Sequence, residues 1–206
     1  MIKLQGKLPK SVVLACSGGV DSMAALDFLR NNHSVTVAYF NHRTEHGIRT
    51  GEWLRRQCRE KYPDVCYQEA VLEGHKPKGL STEEWWRNER YKWFSHFAGC
   101  CVITAHHLDD CVETWIWSSL HGQGKIIPYR NRNVVRPFRL TRKRDFRMWA
   151  NLKNVEYLED DSNKNICYTR NYIRHELMPH ALRVNPGIHK VVKKKVIDDH
   201  ESLINI

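Results

Sequence analysis

The sequence lacks three features that would each place the chain in a particular class of protein. No two of its seven cysteines are spaced as C-x-x-C, and an odd count argues against a disulfide framework or a compact zinc knuckle. The longest apolar runs, at 12–16 and 35–40, are too short to span a membrane. The N-terminal segment lacks the apolar stretch of a secretory signal. We therefore expect a cytoplasmic protein with no membrane partner.

Acidic residues are scarce relative to basic ones. The 206 residues include 33 Lys and Arg against 23 Asp and Glu, which gives a net charge of +10. Nine of the basic residues fall between positions 125 and 150, where Asp145 is the single acid. Such an excess suits a polyanionic partner such as nucleic acid, although it also suits a protein that is merely soluble.

Apolar, β-branched segments alternate with helical sequences along the first part of the chain. The segments at 11–16, 34–40, 64–72 and 100–105 predict strands, and helices are expected at 23–30, 50–62, 81–97 and 107–120. This alternation predicts an α/β fold, an open, mostly parallel twisted sheet with helices on both faces, as in Rossmann-like proteins.

The composition changes after Gly124, where the basic residues begin to dominate. Helices are expected at 141–151 and at 169–182, the second interrupted near Pro179. We accordingly divide the chain into an α/β domain, residues 1–124, and a basic helical extension, residues 125–206, packed on it.

The segment SGGVDS at 17–22 joins the first predicted strand to the first helix. Its glycines let the backbone approach a ligand closely, and the free amides at the helix start favour phosphate or pyrophosphate. Asp21 is a candidate ligand for Mg²⁺, with helix capping as an equally natural role. An ordinary glycine turn is the alternative for the whole segment, and the lysine of a Walker A loop is missing. The candidate phosphate-binding residues are Ser17, Gly18, Gly19, Val20, Asp21 and Ser22.

A second group of polar residues follows the fourth predicted strand. His106, Asp109, Asp110 and Glu113 are spaced by 3, 1 and 3 positions, which places them on one face of a helix start. Such a cluster suits proton transfer to or from an amine. Helix capping is the alternative for the two aspartates, a metal site of the Asp-Asp-x-x-Glu type is another, and His107 is equally compatible with a structural role.

These motifs, in this order, resemble the tRNA(Ile)-lysidine synthases of the N-type ATP pyrophosphatase, or PP-loop, superfamily. SGGVDS resembles the superfamily's pyrophosphate loop, and TAHHLDDCVET at 104–114 is similar to AHHxDDQxET, with Cys111 where Gln is usual. NHRTEHGIR at 41–49 departs from the family's DHGLR by extra residues. The resemblance covers roughly residues 10–182. Other similar stretches are STEEWWRNERY at 81–91, Arg136-Pro137, and DSNKNICYTRNYIRHELMP at 161–179.

The resemblance implies a specific reaction. Family members use ATP to adenylate the carbonyl oxygen at carbon 2 of the wobble cytidine in tRNA(Ile) with a CAU anticodon, and free L-lysine then displaces AMP to give lysidine. ATP and Mg²⁺ are the implied cofactors. His106 and Asp110 are by resemblance the catalytic pair on the lysine side, with Glu113 in lysine binding. Arg87 or Arg90 is expected to reach the nucleotide or the lysine, with salt bridges to neighbouring glutamates as the alternative.

The basic segment is expected to contact the tRNA backbone, with a solvated basic surface as the alternative for any single residue. Many family members continue into C-terminal tRNA-binding domains, so we expect a minimal form, a fragment, or a partner that supplies the rest. The oligomeric state is open, a homodimer being one alternative. The candidate tRNA-binding residues are Arg136, Arg139, Arg142, Arg144, Arg170 and Arg174.

Three other functions stay open at this point. A small-molecule ligase of the superfamily would need neither the basic segment nor the R-N-x-I-R motif at 170–174. Another PP-loop enzyme would thiolate a tRNA base, but the cysteine pairs or positioned catalytic cysteines of such enzymes are not evident in this sequence. A catalytically inactive tRNA-binding module would have no need of the intact segment at 17–22.

Overall fold

The apolar segments near the N-terminus form the centre of a six-stranded sheet in the computed structural model, which describes residues 1–160 and 165–204. The strands are β1 (Ser11–Ala15), β2 (Ser34–Asn41), β3 (Cys66–Val71), β4 (Cys101–Thr104), β5 (Arg130–Asn131) and β6 (Val134–Val135). Their order across the sheet is β3-β2-β1-β4-β6-β5. All neighbours pair in parallel except β5, which is antiparallel to β6.

Helices connect the strands and continue beyond the sheet. The first four are α1 (Val20–Leu29), α2 (Glu45–Glu60), α3 (Thr82–Phe94) and α4 (Leu108–Leu120). After the sheet come α5 (Lys143–Lys153), α6 (Thr169–Tyr172), a π-helix (Ile173–Leu177), α7 (Met178–Val184) and α8 (Ile188–Ile204). None of the helices in the described ranges combines the length and apolarity needed to cross a bilayer.

The main core lies between the sheet and the helices α1, α2 and α5. Residues from the predicted extension are part of it, because Phe138, Phe146 and Ala150 pack among the core residues of β1 and α1. A second apolar cluster joins α4 to α8 through Val112, Val192 and their neighbours. The core side chains with no exposed surface include Leu14, Met23, Leu26, Val37, Phe138 and Phe146.

The predicted α/β fold is confirmed, with its mostly parallel sheet and its helical C-terminal region. The division at residue 124 does not follow the core, since β6 extends the sheet beside β4 and α5 packs on α1. The sequence did not predict β5 and β6, and the helix expected from residue 50 begins at Glu45. The interruption expected near Pro179 is present as the π-helix that ends at Leu177.

Candidate active site

The loops after β1 and β4 meet at the point in the sheet where the strand order reverses. β1 and β4 are adjacent and parallel. From β1 the strand order runs outward through β2 to β3, and from β4 it runs to the other edge of the sheet through β6 to β5. Ligands in open α/β sheets bind at this kind of switch point, beyond the carboxyl ends of the strands. The segment at 17–22 follows β1, and His106 and His107 follow β4, so both predicted motifs lie at the switch point.

Hydrogen bonds within the loop fix the segment that follows β1. The Ser22 hydroxyl donates to the carbonyl of Gly19 at 2.9 Å and accepts from the Ser17 amide at 3.2 Å. The Leu158 amide donates to the Gly18 carbonyl at 2.9 Å, which ties the loop to the segment after α5. The Ser22 hydroxyl thus helps to hold the loop in shape. The amides of the first turn of α1 have no partner within the helix and remain available to a ligand.

The two glycines of the loop have different structural roles. Gly18 has φ of +79°, a conformation that L residues rarely adopt, and an added Cβ would lie 2.8 Å from Cγ2 of Thr50. Gly19 has φ of −76° and is the N-cap of α1. A Cβ at Gly19 would lie no closer than 3.6 Å to any other group, the Ser17 hydroxyl being nearest. The protein itself therefore leaves room for a side chain at position 19.

His107 connects the two loops. Its Nε2 lies 3.5 Å from Oδ2 of Asp21 in the first turn of α1, and its side chain is 1 % exposed. Its Nδ1 accepts from the Asp110 amide at 3.2 Å while the Asp110 carboxylate accepts from the His107 amide at 2.9 Å. This reciprocal cap begins α4. Burial lowers the pKa of His107, but Asp110, Asp21 and Asp109 together outweigh it and raise the pKa above its ordinary value.

Asp21 has one oxygen that suits a cation. Its Oδ1 is buried and has no hydrogen-bond partner among residues 1–160 and 165–204. In the same part of the chain, no three His, Cys, Asp or Glu side chains group closely enough to hold a metal ion by themselves. A Mg²⁺ ion at Asp21 would therefore take its remaining ligands from water and from the phosphates of a bound nucleotide, which is how Mg²⁺ commonly binds at such sites.

His106 is held neutral at the end of β4. Its Nδ1 lies 2.7 Å from the Thr104 hydroxyl. Burial is the main cause that lowers the pKa of His106 to about 3, and the positive charges of Arg170 and Arg136 contribute in the same direction, against Asp110. The ring thus offers one donor and one acceptor at neutral pH, and it is a weak base in the free protein.

The two carboxylates predicted to bind lysine are paired with two arginines predicted to bind tRNA. Arg170 donates to Asp110 Oδ1 at 2.8 Å and to Glu113 Oε2 at 3.2 Å. Arg174 donates to both oxygens of Glu113, at 2.7 and 2.9 Å, and its π-helix places it beside Arg170. Asp110 and Glu113 are buried, whereas the Arg170 side chain is 52 % exposed. Burial raises the pKa of Asp110, but His107 and Arg170 outweigh it and hold that pKa well below its usual range.

Asp109 has a structural role that differs from the predicted alternative, since Asp110 caps α4 and Asp109 caps another helix. Its carboxylate accepts from the Lys143 amide at 2.8 Å and thereby caps α5. It also pairs with Arg142 at 3.2 Å and with His189 at 3.1 Å. Asp109 therefore joins α4 to α5 and α8. The neighbouring Cys111 is a core residue with no exposed surface, and burial raises the pKa of its thiol to about 12.

Arg87 and Arg90 on α3 make no ion pair with any described residue, so the alternative of salt bridges to nearby glutamates is not observed. The Arg87 guanidinium lies 4.9 Å from the centre of the Tyr91 ring. Arg90 is half-buried; burial lowers its pKa, and Arg87 and Arg170 lower it further. An unpaired, half-buried cation near two other cations is suited to an anionic ligand.

The sequence reading missed His42, which follows the end of β2. Its Nδ1 is buried without a hydrogen-bond partner in the described ranges, and its ring stacks on Trp86 at 4.7 Å. Burial, followed by the charge of Arg90, lowers its pKa to about 4. The rule that residues just beyond parallel strands line the site would have found it, since Asn41 is the last residue of β2.

Arg136 and Arg139 do not belong to a surface that contacts tRNA, so the prediction is wrong for these two residues. Arg139 is fully buried, bonded to Gln5 at 3.1 and 3.2 Å and to Asp199 at 2.6 Å. Arg136 is 2 % exposed and donates to the Pro128 carbonyl and the Tyr91 hydroxyl, both at 2.9 Å. A guanidinium buried this deeply cannot reach a backbone phosphate at the surface, although Nε of Arg136 has no hydrogen-bond partner in the described ranges.

The other predicted tRNA-binding residues lie at or near the surface. Arg144 is exposed, and Arg142 is partly exposed although it pairs with Asp109. The first part of the predicted motif at 161–179, residues 161–164, lies outside the described residues. The seven cysteines are free, and no two of them pair.

The chain is similar to several curated proteins. A protein named tRNA(Ile)-lysidine synthase from Thermotoga maritima is 31 % identical over 92 % of this chain and 49 % of its own length. One of the same name from Geobacter sulfurreducens is 31 % identical over 94 % of this chain and 45 % of its own length. The chain thus spans about half the length of the curated relatives that it matches.

One solved structure is an NH3-dependent NAD synthetase from Campylobacter jejuni in complex with the nitrate ion. It has a TM-score of 0.45 and 13 % identity, and the match covers 95 % of this chain and 87 % of that one. A family model described as the PP-loop domain matches residues 2–181. The chain therefore belongs to the PP-loop domain family.

Proposed function

We propose that this chain is an ATP-dependent tRNA-modifying ligase that joins L-lysine to carbon 2 of the wobble cytidine in tRNA(Ile) with a CAU anticodon, giving lysidine. Membership of the PP-loop family and the names of the relatives support the proposal. The observation that carries it is the contact between the two loops, where His107 lies 3.5 Å from Asp21 at the sheet's switch point. This contact brings the start of α1, where we propose that phosphates bind, beside a cluster of ionisable groups.

The loop after β1 would bind the phosphates of ATP. The amides at the start of α1 and the Ser17 hydroxyl are the donors, and the helix dipole favours the negative charge. Asp21 would hold Mg²⁺ through its unpartnered Oδ1. ATP supplies the adenylyl group and the pyrophosphate leaving group.

The chemistry that we propose has two displacements. The carbonyl oxygen at carbon 2 of cytidine attacks the α-phosphorus, and the bond from that phosphorus to pyrophosphate breaks. The lysine ε-nitrogen then bonds to carbon 2 as the bond from carbon 2 to the oxygen of AMP breaks. Both steps develop negative charge on phosphate oxygens, and the unpaired guanidiniums of Arg87 and Arg90 are suited to stabilise it.

Lysine binding would involve an exchange of cations. Asp110 and Glu113 are ion-paired with Arg170 and Arg174, so an incoming ammonium must displace at least one arginine. Arg170 is the one that can turn to solvent, since half of its side chain is exposed. The ε-amine must lose a proton before it attacks, and the acceptor that we propose is neutral His106. Phosphate charge beside that ring would raise its pKa from the low value it has in the free protein.

The test is lysine transfer with purified protein, ATP, Mg²⁺, labelled L-lysine and tRNA(Ile) with a CAU anticodon. We expect label on the tRNA and one pyrophosphate released per lysine joined. His106→Gln should retain pyrophosphate release and lose lysine transfer, whereas His96→Gln, at an exposed position after α3, should retain both. Sulfur incorporation instead of lysine would overturn the proposal, as would tRNA binding without pyrophosphate release.

A further inference from the structure

A basic cavity lies beside the first turn of α4, next to α5 and α8. Its volume is about 340 Å³, and it is lined by the N-terminal segment and by the first turns of α5 and α8. Leu108, the first residue of α4, forms part of its wall. The N-terminal segment is fixed there because the Lys3 amide donates to the Thr141 hydroxyl at 2.9 Å. Five lining residues are basic: Lys3, Arg142, Arg144, Lys190 and Lys193.

Most of this positive charge has no partner in the described part of the chain. Arg142 pairs with Asp109, and Asp145, the one acid that lines the cavity, pairs with the amino group of Met1. The other four basic side chains of the cavity make no ion pair with any described residue. Four unpaired cations from three separate segments therefore converge on one opening, an arrangement that repels itself unless an anion is present.

We propose that this cavity binds phosphates of an RNA backbone, at a site separate from the loop at 17–22. The proposal rests on the proposed function for the identity of the RNA as tRNA. No Phe, Tyr or Trp side chain lines the cavity, and the one imidazole, His189, is paired with Asp109, so the cavity's main donors are side chains that position a backbone without reading sequence. It also replaces the buried Arg136 and Arg139 as the place where the basic segment meets RNA.

The cavity is linked to the candidate active site through Asp109. This carboxylate contacts Arg142 and His189, which line the cavity, and it precedes Asp110 in the first turn of α4. RNA held in the cavity would thus be anchored one helical turn from the ionic cluster. Lys190 and Lys193 are three positions apart on α8 and reach the cavity together, whereas Lys194 and Lys195 of the same helix do not line it.

The test compares two charge-matched double variants of the full chain. We would measure binding of a tRNA anticodon stem-loop across a series of salt concentrations, without ATP or lysine. Lys190→Gln/Lys193→Gln should lower the slope of log K against log[salt] by about 1.5, and weaken binding roughly tenfold or more near 0.1 M salt. Lys194→Gln/Lys195→Gln removes the same charge away from the cavity and should leave the slope nearly unchanged. Equal losses in the two doubles would overturn the proposal.

A footprint gives a second readout on the unaltered protein. RNA should protect Lys3, Lys190 and Lys193 from acetylation and leave Lys194 and Lys195 reactive. Protection by tripolyphosphate but not by RNA would assign the cavity to a small anion and overturn the proposal. Neither measurement involves catalysis, so the two proposals can fail separately. If lysine transfer failed while RNA still protected these lysines, only the proposed function would be overturned. If lysine transfer succeeded while RNA gave no protection, only this site would be overturned.

Discussion

Gly18 and Gly19 are adjacent in the sequence, yet the structure requires glycine at only one of them. Position 18 requires glycine for the fold, because its φ is positive and an added Cβ would lie too close to Thr50. Gly19 has an ordinary conformation with free space around it, so a requirement for glycine there would come from the ligand. The two positions therefore separate stability from phosphate binding.

Gly18→Ala should lower the free energy of unfolding by about 1–2 kcal/mol from the backbone alone, and by more because the new Cβ meets Thr50. Urea unfolding measures this. Gly74 is the matched control, since it has φ of +77° with nothing within 4 Å of an added Cβ. Gly74→Ala should show the backbone cost without the clash, and an equal cost at the two positions would contradict the packing argument.

Gly19→Ala should change stability by less than about 1 kcal/mol, the range of weak N-cap substitutions. Pyrophosphate release should nevertheless fall sharply, because the methyl group occupies space in the loop where a phosphate would approach the amides of α1. The measurement is pyrophosphate release as a function of ATP concentration. Release at the wild-type level and at ordinary ATP concentrations would exclude this position from the phosphate site.

Asp110→Asn should destabilise the protein by an amount at the lower end of roughly 3–5 kcal/mol, the cost of removing one partner from a buried ion pair. The lower end applies because half of the Arg170 side chain is exposed and can turn to solvent. Glu113→Gln, in the same network, is the comparison.

The sign of the pH effect follows from the lowered pKa of Asp110 in the folded protein. Its contribution is fully present above about pH 4, near its unfolded pKa, and is lost as the pH falls further.

The difference in unfolding free energy between wild type and Asp110→Asn should therefore shrink between pH 7 and pH 3. Other carboxylates titrate in both proteins and cancel in the difference. Urea unfolding at the two pH values measures it. A difference that grows toward acid would mean that Asp110 is not stabilised as a carboxylate in the folded state.

The burial of Arg136 and Arg139 marks the limit of what the sequence could predict at single residues. Arginine is almost always exposed unless it is paired, so a basic segment is reasonably assigned to the surface. The partners that bury Arg139, Gln5 and Asp199, lie 134 and 60 positions away, and no local pattern points to them. The clustering at the start of α4 was predictable because its residues are neighbours in the chain.

At the level of elements, the sequence predicted those with a strong local pattern. β1, β2 and β4 are mostly apolar runs and β3 is a mixed one, whereas β5 and β6 are two residues each and have no pattern to detect. The early start of α2 was missed because Gly47 and Gly51 lower its helical propensity. Tertiary packing, and not helix propensity, determines the residue at position 51, since a Cβ at Gly51 would lie 2.6 Å from Glu69.

The packing of α8 on α4 can be tested with two neighbouring valines. Val192 is fully buried between the helices, and Val191 is 43 % exposed. Val192→Ala removes two buried carbon groups and should cost about 1.5–2.5 kcal/mol once the cavity is included. Val191→Ala should stay within about 0.5 kcal/mol of wild type. Thermal or urea unfolding measures both, and equal effects would mean that α8 does not pack on α4 as described.

Considered as a whole molecule, the chain has one α/β core that extends past the basic segment. The predicted division at residue 124 assumed that a change in composition marks a structural boundary. Here most of the basic residues face outward from elements whose apolar side chains, such as Phe138 and Phe146, complete the core, whereas Arg136 and Arg139 are buried. Charge composition therefore described the surface of residues 125–150 and said little about which core they join.

Ligand binding to the folded chain should stabilise the whole molecule. ATP with Mg²⁺ at about 100 times its dissociation constant should add about 2.7 kcal/mol to the free energy of unfolding. For a chain of 206 residues this corresponds to a rise in melting temperature of roughly 5–10 °C. Differential scanning fluorimetry with and without ATP measures it, and Asp110→Asn should show a rise of the same size from its lower starting point.

The variants at the loop after β1 separate this shift from unspecific effects of nucleotide. Gly19→Ala should melt near the wild-type temperature without ATP and gain little when ATP is added. Gly74→Ala should start lower and gain the full shift, because its loop follows β3, two strands away from β1, and an added Cβ there meets nothing within 4 Å. If Gly19→Ala gained as much as wild type, the triphosphate would bind elsewhere on the molecule. The helix start at α1 would then be a structural turn, since the stabilisation that ATP provides depends only on the site that it occupies in the folded state.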